Sequence, residues 1–451
     1  MKKNIALLFL AVFSVYLNSL LGVFQFDDYN VIVNEKTVHA FSAYLSDLGR
    51  GIRPILKLSY MLNWTTSVEP LGFHVVNIFV HAINTILLYL LFLNFTEQLF
   101  ENEDKSRTTA FFAALLFALH PVQTEAVTYI SGRSISLMAT FYLSSILAYQ
   151  NGCKSTDKKM KWCYFISPLL FLLAVLTKET AITLPFALLI CWKISNKGEK
   201  WYPPADQAVH WALFFIILLA FILLPGHGRL LEYSFDIRGI STNILAQING
   251  ITYLVSRFFM IDGLNIDPDL PVIKTFSPKL LMQAVMLFLP VAAAVLYFKK
   301  APWFSFGIFW FFLHLLPTNS IVPRLDVANE RHLYLPSAGL FFIAAVAFSK
   351  YYAGLKSKYT IPAKVLLVLT FTALSFYTIK RNNVYKSETA LWEDTVSKSP
   401  VNARAYNNLG YAYYLDARYN EAEKAFLDAL RLKPDYVLAR GNLEQCIKKH
   451  Q

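Results

Sequence analysis

Charged side chains are scarce in this chain of 451 residues. Asp, Glu, Lys and Arg together make up 16% of the sequence, whereas 55% of it is hydrophobic. Soluble globular domains carry roughly 25% charged residues, so the composition excludes an ordinary soluble domain and indicates a polytopic membrane protein. The net charge of +12 does not indicate a nucleic-acid partner. Many of the lysines lie in short loops between apolar runs, where membrane topology accounts for them.

Cysteine is also rare, and its placement excludes two common structural devices. The chain has four cysteines, at positions 153, 163, 191 and 446. They are scattered, with neither the spacing of a disulfide framework nor that of a zinc site. The cysteines therefore indicate nothing about function.

A polar stripe runs along the second apolar segment, in the sequence FHVVNIFVHAIN. His74, Asn77, His81 and Asn84 fall on one face of a helix. The two histidines are seven residues apart, or about 10 Å along the helix axis, which is too far for both to bind one metal ion. We therefore predict hydrogen bonds to neighbouring helices from this stripe, and we predict no metal site.

Long apolar runs dominate the first 380 residues. A bilayer core requires about twenty apolar residues per helix, and by this measure the sequence predicts an all-α membrane domain over residues 1–380 with about eleven spans. The spans lie near residues 4–24, 73–95, 108–120, 134–150, 162–177, 180–194, 209–225, 278–298, 302–317, 333–350 and 361–379. Residues 1–23 could also be a signal peptide, but their apolar region is long and no A-x-A site follows, which favours a first transmembrane helix.

Lysine-rich loops after alternate spans define the predicted orientation. These lysines are Lys154, Lys158, Lys159 and Lys161, then Lys193, Lys197 and Lys200, then Lys299 and Lys300, and finally Lys350, Lys356 and Lys358. With Lys2 and Lys3 they fall on one face, which the positive-inside rule makes cytoplasmic. We interpret the interrupted apolar segment 240–265 as re-entrant or interfacial, so an odd number of spans places the C-terminal segment outside the cytoplasm. If 240–265 spans, that segment is cytoplasmic.

Most of the other ionisable residues near the span ends fall on the outer face. They are Asp27, Asp28, Arg53, His74, His120, Glu125, Arg133, Lys178, Glu179, Arg324, Asp326, Glu330, Arg331 and His332. Ionisable groups at the ends of apolar helices usually line a polar cavity or pair with one another. We infer a polar site at the outer membrane face. For Lys178-Glu179 and Glu330-Arg331, a neutral interface pair is the alternative.

Two adjacent carboxylates, Asp27 and Asp28, follow the first span in the sequence FQFDDYN. Carboxylates that repel each other beside an apolar wall should hold a proton more tightly than a free Asp. This property suits a general base that accepts a hydroxyl proton. The alternative is an N-cap for a helix that begins at Tyr29. Which of the two would be the base is left open.

The external loop 25–72 is too polar to span and too long to be a simple turn. Its stretches AFSAYLSDL and RPILKLSYML have apolar residues at helical spacing, which predicts amphipathic helices lying on the membrane surface. Arg53, before Pro54, is a candidate ligand for a lipid phosphate because Arg binds phosphate in a bidentate manner. Snorkelling of this side chain to lipid headgroups is the alternative.

Residues 403–436 match the 34-residue tetratricopeptide repeat. Its eight signature positions hold Tyr406, Leu409, Gly410, Tyr413, Ala422, Phe426, Ala429 and Pro434. Half a repeat precedes it, because Trp392 lies 34 residues before Phe426, and we predict a helical-repeat module over residues 381–451. Such modules bind partner proteins along a concave face. A purely structural docking role is the alternative for so short a groove.

Six ordered motifs resemble those of a known family. They are FDDYNVI, RPILKLSYMLNW, FHVVNIFVHAINTILLYLL, LFALHPVQTEAVTYISGRSISLMA, LTKETAITLP and ERHLYLPSAGL. Followed by tetratricopeptide helices, they resemble the transmembrane and tetratricopeptide repeat O-mannosyltransferase family over essentially the whole chain. That family is similar in architecture to the GT-C glycosyltransferases, which take sugar from a polyprenyl-phosphate carrier at the outer membrane face. The resemblance implies a catalytic acid in the first external loop, and neither a cofactor nor a divalent metal.

The motifs also assign candidate residues. The first-loop acid falls on Asp27, with Asp28 beside it. The other candidates, whose roles in binding the carrier phosphate or the sugar we assign from charge, are Arg53, His120, Glu125, Arg133, Lys178, Glu179, Glu330 and Arg331. This chain has about one full repeat, whereas eukaryotic members of the family carry many. Its short, lysine-rich sequence is more typical of bacterial relatives. We therefore expect a bacterial inner-membrane protein with its site and repeats in the periplasm, or in the ER lumen if the protein is eukaryotic.

The resulting hypothesis is an inverting transfer of a sugar, mannose by resemblance, from a polyprenyl-phosphate carrier to Ser or Thr of a secreted or envelope protein. Asp27 would accept the hydroxyl proton, and Arg331 with Arg133 or Lys178 would hold the departing phosphate. The repeats would present the acceptor protein. One alternative is a lipid or glycan acceptor of the cell envelope. Another is a non-catalytic scaffold for envelope assembly.

Overall fold

The chain folds into α-helices in a computed structural model that describes residues 1–49, 51–154, 157, 159–195, 202–223 and 233–450. None of these residues lies in a β-strand. Lys158, Lys197 and Lys200 lie outside the described residues. The principal helices are α1 (Lys2–Tyr16), α2 (Phe41–Asp47), α3 (Pro54–Thr66), α4 (Pro70–Leu99), α5 (Glu103–Leu119), α6 (Thr124–Val127), α7 (Arg133–Cys153), α8 (Ser167–Thr177), α9 (Leu184–Ser195), α10 (Ala208–Leu223), α11 (Ile240–Ser256), α12 (Pro278–Leu296), α13 (Pro302–Leu315), α14 (Tyr334–Ala353), α15 (Ser357–Val384), α16 (Glu388–Lys398), α17 (Ala403–Leu415), α18 (Tyr419–Leu432) and α19 (Val437–His450).

Several helices are long and apolar enough to cross a membrane. Within the described residues there are seven by length and composition, or eight if the pair α5 and Pro121–Val127, bent by 55°, is one broken span. The seven are Lys2–Leu21, Pro70–Leu99, Lys159–Thr177, Ala205–Leu223, Pro278–Leu296, Glu330–Ala353 and Ser357–Val384. This confirms an all-α, multi-pass membrane protein. A helix also overlaps each of the eleven predicted spans, but eleven crossings stay a prediction.

The helices form a bundle with two chemically different ends. At one end, Lys154 Nζ donates to Asn94 Oδ1 at 2.8 Å, and the Lys350 ammonium lies 5.3 Å from the Trp303 ring centroid. We call this the lysine end. At the opposite end, which we call the site end, Arg331 Nη1 lies 3.8 Å from Asp27 Oδ2. The loop lysines thus lie at one end of the bundle and the ionisable residues of the candidate site at the other, as the loop charges predicted.

Three of the four residues in the polar stripe on α4 make the interhelical hydrogen bonds that its spacing predicted, whereas neither ring nitrogen of His74 has a hydrogen-bond partner among the described residues. Asn77 Nδ2 donates to the carbonyl of Val127 at 3.1 Å. His81 Nδ1 lies 2.8 Å from the Tyr334 hydroxyl, and Asn84 Nδ2 donates to the carbonyl of Ser136 at 2.7 Å. These bonds satisfy polar groups that would otherwise be costly inside an apolar bundle.

Helices α13 and α14 approach closely through glycine. A Cβ built on Gly307 would lie 2.5 Å from the carbonyl oxygen of Gly339, a distance that no side chain tolerates. Small residues at such crossings let the helix backbones approach closely. Inside a bilayer this close packing matters, because the hydrophobic effect does not drive the helices together there. This contact places the start of α14, and therefore Arg331 just before it, against the core of the bundle.

The segment 240–265 remains at the site end. In α11, Asn243 Nδ2 donates to the carbonyl of Ser320 at 2.8 Å, and the Tyr253 hydroxyl donates to Glu330 Oε1 at 2.5 Å. Both partners belong to the loop and short helix that precede α14. These contacts favour the interfacial interpretation of this segment over a spanning one.

The external loop 25–72 contains two helices where amphipathic ones were predicted. Tyr44 of α2 and Tyr60 of α3 are buried, whereas Phe41, Leu45 and Leu62 are exposed. Apolar side chains exposed beside a membrane bundle are typical of interfacial helices. The loop therefore has its own packed core and an apolar outer surface.

The C-terminal helices α16 to α19 form two antiparallel pairs, as the repeat signature predicted. Ala422, Phe426 and Ala429 of α18 are completely buried. A Cβ built on Gly410 of α17 would lie 2.7 Å from the Phe426 ring, so the glycine is required for the close approach of the two helices. Pro434 lies in the turn after α18. The prediction of C-terminal helical repeats is confirmed.

Gly410→Ala should destabilise this repeat, because the new methyl group meets the buried Phe426 ring; we expect the free energy of unfolding to fall by about 1–3 kcal/mol. Gly441→Ala in α19 is the matched control, since a Cβ there meets nothing within 4 Å and Ala is the better helix former by about 0.5–1 kcal/mol. Thermal unfolding of the two variants in detergent measures the contrast. Equal shifts of the same sign would contradict this packing.

Candidate functional site

The structure separates the roles of the two adjacent carboxylates in the first loop. Asp28 is completely buried; its Oδ1 accepts from the backbone N–H of Ser131 at 2.8 Å and from the Ser131 hydroxyl, and its Oδ2 accepts from the N–H of Gln25 at 3.0 Å. The side chain of Asp27, in contrast, is 37% exposed. Asp28 precedes the short helix Tyr29–Val33 without capping it through its side chain, so the N-cap alternative is not seen. Asp28 anchors the turn, and Asp27 is presented by it.

Burial dominates the protonation of Asp28. It raises the pKa of this carboxyl to about 7, although hydrogen bonds from Ser131 and Gln25 act in the opposite direction. Repulsion by Asp27, the cause expected from the sequence, adds to the increase but is the smallest of these effects. The prediction that one of the pair holds its proton more tightly than a free Asp therefore applies to Asp28, chiefly because it is desolvated.

The turn that carries Asp27 is held from two sides. The N–H of Asp27 donates to the Tyr129 hydroxyl at 2.9 Å, and Gln25 Nε2 donates to the carbonyl of Tyr385 at 2.6 Å. Between them Phe26 adopts a left-handed backbone conformation, with φ of 47°, which is costly for a residue with a bulky side chain. Its N–H donates to Glu388 Oε1 at 3.2 Å. The surrounding contacts maintain a strained turn that directs one carboxylate outward.

Asp27 faces a cavity at the site end of the bundle. The cavity has a volume of about 260 Å³, near the lower limit of ligand pockets, which is roughly 300 Å³. Its lining residues are Phe26, Asp27, Glu125, Tyr129, Ile266, Asp267, Leu325, Asp326, Asn329, Arg331, Trp392 and Arg404. They come from the first loop, the α5–α7 connection, the segments before α12 and α14, and the repeat helices α16 and α17. The cavity therefore joins the membrane domain to the repeat module.

Arg331 connects two of the four acids that line the cavity, Asp27 and Glu125. Its backbone N–H donates to Glu125 Oε2 at 2.9 Å, its Nε lies 3.8 Å from Glu125 Oε1, and its Nη1 lies 3.8 Å from Asp27 Oδ2. Glu125 is 4% exposed, and neither its Oε1 nor Arg331 Nε has a hydrogen-bond partner. Buried groups that face each other beyond hydrogen-bond distance are suited to receive a polar ligand.

A cluster of cations lies beside this cavity. Lys178 is 5% exposed and its ammonium donates to Ser134 Oγ at 3.4 Å, while no carboxylate of the described residues lies within ion-pair distance of it. Burial lowers the pKa of Lys178, and the nearby Arg53, Arg331 and Arg324 lower it further. An anionic ligand bound beside Lys178 would favour the charged form of this side chain again.

Arg53 and Glu179 form an ion pair at the edge of this cluster. Arg53 Nε and Nη2 donate to the two carboxylate oxygens of Glu179 at 3.0 and 2.7 Å. Burial opposes ionisation of Glu179, but Arg53 and Lys178 outweigh it and hold the pKa of this carboxyl at about 2. Arg53 is therefore already engaged by a protein carboxylate. The pair orients the first loop against the α8–α9 connection.

Arg133 lies apart from the cavity. It is completely buried, where its Nε donates to Asn77 Oδ1 at 2.7 Å and its Nη2 donates to Asn63 Oδ1 at 2.8 Å and to the carbonyl of Phe73 at 2.9 Å. The guanidinium also lies 5.0 Å from the Tyr60 ring centroid. These partners favour a structural role, which joins the first loop to α4, over contact with a carrier phosphate.

His120 and Glu330 are likewise engaged inside the protein. His120 Nδ1 accepts from the N–H of Val122 at 3.1 Å, and its Nε2 lies 3.3 Å from the carbonyl of Phe258. Glu330 accepts from the hydroxyl of Tyr253 and from the N–H of Asn265 at 2.9 Å. Both residues orient the segment 256–266, which forms one side of the cavity.

Several lining residues carry no signal in the sequence. Asp267 follows the interrupted apolar segment, and Arg404 lies before the first signature position of the repeat. The repeat pattern identified Trp392 only as a packing residue of the half repeat. The periodic patterns that identify helices do not reveal contacts between residues 137 positions apart, such as Arg404 and Asp267. The sequence placed Arg324 and Asp326 among the outer-face residues, but no motif selected them as candidate site residues.

The described residues contain no group of three or more His, Cys, Asp and Glu side chains arranged to hold a metal ion. Arg331 and Arg404 line the cavity together with its acids, and Lys178 lies close to Arg331. Any anion bound here would meet guanidinium and ammonium groups.

The fold and the cavity define a class, the integral multi-pass membrane proteins in which helical repeats adjoin an ionisable site at one end of an apolar bundle. No protein-family model matches the chain. It is similar to a protein O-mannosyl-transferase of Caenorhabditis elegans, with 27% identity over 96% of this chain and 63% of that protein. It is also similar to the protein O-mannosyl-transferases TMTC3 of Mus musculus, at 24% over 99% of this chain and 53% of the relative, and TMTC1 of Homo sapiens, at 26% over 95% and 55%.

These relatives confirm the resemblance that the motifs indicated, because the similarity extends over nearly the whole chain. The chain spans between about half and two thirds of the length of these curated relatives. All three are animal proteins, so a bacterial origin for this chain stays a prediction.

The raised pKa of Asp28 predicts a pH-dependent stability. As pH rises from about 4 to about 7, the unfolded chain releases the Asp28 proton while the folded protein retains it, so the free energy of unfolding falls, on the order of 1 kcal/mol per pH unit. Asp28→Asn should remove this component of the slope. Thermal unfolding in detergent between pH 4 and 7 measures it, with Asp104→Asn, an exposed acid at the lysine end, as the control. Identical slopes in wild type and Asp28→Asn would contradict the assignment.

Proposed function

We propose that the protein is a membrane glycosyltransferase that moves mannose from a polyprenyl-phosphate carrier to Ser or Thr hydroxyls of an acceptor protein. The observation that carries the proposal is the half-exposed carboxylate of Asp27, held toward a small cavity beside Arg331 and close to the buried cation Lys178. A base, a cavity and a group of cations are the parts that transfer from a lipid phosphate requires. The names of the relatives support mannose and a protein acceptor.

Asp27 is the general base in this proposal. The acceptor hydroxyl gives its proton to the Asp27 carboxylate while its oxygen forms a bond to the anomeric carbon of the sugar. The bond from that carbon to the phosphate oxygen breaks, and its electron pair leaves with the phosphate. A single displacement of this kind inverts the configuration at the anomeric carbon. Asp28 holds the turn so that the Asp27 carboxylate reaches the hydroxyl.

Arg331 and Lys178 stabilise the departing phosphate in this proposal. The unpartnered Nε of Arg331 faces the cavity, and the Lys178 ammonium has no carboxylate partner among the described residues. The Arg331 and Lys178 side chains would stabilise the negative charge that develops on the departing phosphate. Such stabilisation lowers the activation barrier most when the stabilising groups are already in position. Arg133, which the sequence offered as an alternative partner, has protein acceptors for its donors and is left out.

The side of the membrane is also part of the proposal. The site and the repeat module share one end of the bundle, and the lysines lie at the other end. With the lysine end in the cytoplasm, sugar transfer takes place outside it, on proteins that are being secreted. A reporter fused after residue 451 that reports a cytosolic location would contradict this arrangement.

Asp27→Asn should lower the rate of transfer by about 10²–10⁴-fold, because the variant retains the shape of the side chain but loses the base. The measurement is the transfer of radiolabelled mannose from its polyprenyl phosphate to a Ser/Thr-rich peptide in membranes. Asp104→Asn is the control. Near-normal transfer by Asp27→Asn would contradict the assignment. Label in lipid or glycan instead of peptide would favour the alternative acceptor, and a wild-type protein without transfer would favour a scaffold.

Removal of divalent metal should leave the rate of transfer unchanged. In the proposal the phosphate charge is balanced by the Arg331 guanidinium and the Lys178 ammonium, so a chelator removes nothing that the reaction uses. The same assay, run with and without EDTA, measures this. A rate that falls with EDTA and is restored by added Mg²⁺ or Mn²⁺ would contradict metal-independent transfer.

A further inference from the structure

The repeat module contributes directly to the cavity that contains Asp27. Trp392 of α16 and Arg404 of α17 both line it. The Trp392 ring lies at 5.3 Å, edge to face, from the ring of Phe26, which is the residue before Asp27. Recruitment of partner proteins alone does not require side chains of the module in the cavity that contains Asp27. The wall opposite Glu125 and Arg331 is therefore built from the repeats.

Arg404 fixes this wall to the membrane domain. Its Nε donates to Asp267 Oδ2 at 2.8 Å, and its Nη2 donates to Asp267 Oδ1 and, at 2.7 Å, to Asp326 Oδ1. A guanidinium bound to two carboxylates from different segments is a directional clamp, since its planar fork fixes both partners. Asp267 is 7% exposed, whereas the Arg404 side chain is 31% exposed, so the Asp267 carboxylate is the desolvated partner of this pair.

Neighbouring bonds extend the clamp along α16 and α17. Lys398 Nζ donates to the carbonyl of Leu264 at 2.9 Å, and Asn265 Nδ2 donates to the Ser399 hydroxyl at 2.8 Å. Asn402 Nδ2 donates to the carbonyl of Asp267 at 3.2 Å. The segment 264–267 is thus attached to the turn between α16 and α17. Rigid-body movement of the module away from the bundle would break all of these bonds together.

The same module holds the turn that carries the base. Glu388 of α16 accepts from the N–H of Phe26, and the carbonyl of Tyr385 accepts from Gln25. Because Phe26 is in a left-handed conformation, this turn depends on its partners to keep its geometry. Displacement of α16 would therefore change the position of the Asp27 carboxylate.

We propose that α16 and α17 of the repeat module form a fixed, acceptor-side wall of the reaction cavity, and that Arg404 is the positioning residue that holds this wall in place. The inference rests on the proposed function and deepens it. The cationic group suited to phosphate besides Arg331 is Lys178, which lies close to Arg331 and outside the lining of the cavity, so the wall on the side of Trp392 and Arg404 is left for the acceptor. The Ser or Thr hydroxyl of the acceptor polypeptide reaches Asp27 along this wall.

A fixed wall and a recruiting arm predict different kinetics. If the repeats only recruit, a change at the clamp raises the KM for a folded protein acceptor and leaves a short peptide acceptor unaffected. If the repeats form a wall, the same change lowers kcat for the short peptide too, because the base and the hydroxyl lose their alignment. A displacement of about 1 Å at a reacting pair can cost roughly 100-fold in rate.

The first experiment uses full-length Arg404→Met in membranes, with a short Ser/Thr peptide as acceptor. We expect kcat for the peptide to fall roughly tenfold or more, because the two carboxylates lose the guanidinium that aligns the wall. Arg404→Lys should recover only part of the loss, since Lys keeps the charge but not the planar fork. Asp326→Asn, a milder change at the rim, should act in the same direction. A normal kcat in all three variants would overturn the proposal.

Arg418→Met is the matched control. Arg418 also belongs to the module and forms ion pairs, with Glu421 and, at 4.0 Å, with Glu393, but it lies outside the lining of the cavity. Its replacement should leave peptide transfer close to wild type. If Arg418→Met lowers kcat as much as Arg404→Met, the effect is general destabilisation of the module, and the positioning role of Arg404 is wrong.

A second experiment tests the wall without relying on activity. Ile266 is 6% exposed and belongs to the same buried apolar cluster as Trp392, so Ile266→Cys should be protected from a soluble maleimide while the wall is closed. The background carries Cys153→Ser, because Cys153 is the exposed native cysteine. Adding Arg404→Met should increase the labelling rate roughly tenfold or more, as loss of one partner leaves the buried Asp267 charge uncompensated. Unchanged labelling would overturn the fixed wall.

The two experiments separate the two proposals. If wild type transfers no sugar, the proposed function fails, and the labelling of Ile266→Cys still decides whether Arg404 closes the wall. If wild type transfers sugar but the Arg404 variants change neither kcat nor labelling, the proposed function stands and the fixed wall fails.

Discussion

The site depends on one buried carboxylate. Asp28 is removed from water, and it is tolerated there because Ser131 and Gln25 donate to both of its oxygens. Those bonds close a tight turn around the strained backbone of Phe26. The neighbouring Asp27 is then directed into the cavity. A carboxylate in apolar surroundings has few alternative positions that keep its hydrogen bonds, so Asp28 determines where the Asp27 carboxylate lies.

The rest of the site is assembled from segments that are distant in the sequence. Arg331 reaches both Asp27 and Glu125, and Arg404 joins the repeat helices to the segment before α12. Polar side chains on α4 and the buried Arg133 attach the first loop to the bundle through hydrogen bonds. In an apolar bundle such bonds are more selective than packing, because lipid competes for apolar contacts but not for hydrogen bonds. The polar groups therefore define which helices meet.

Much of the fold could be predicted from the sequence, whereas only part of the site could. Apolar runs located the helices, and the repeat signature located the helix pair in which Gly410 meets Phe426, because both patterns follow the periodicity of a single helix or helix pair. The charge pattern assigned Glu125 and Arg331 to the same face, but it also assigned Arg133 there, since formal charge does not distinguish a guanidinium that is satisfied by protein acceptors from one that is free. Trp392 and Arg404 had the character of repeat residues and gave no indication of the cavity.

The sequence by itself determined the class of protein, the polar end of the bundle, the repeat module and the pair Asp27-Asp28. These follow from local composition and spacing, which are properties of neighbouring residues. Only the tertiary structure decided that Asp28 is buried and Asp27 is presented, and that the repeats form part of the cavity wall. Adjacent residues point in different directions for reasons that lie elsewhere in the chain, at Ser131 and at Glu388. Burial and hydrogen bonding between distant segments are created by folding.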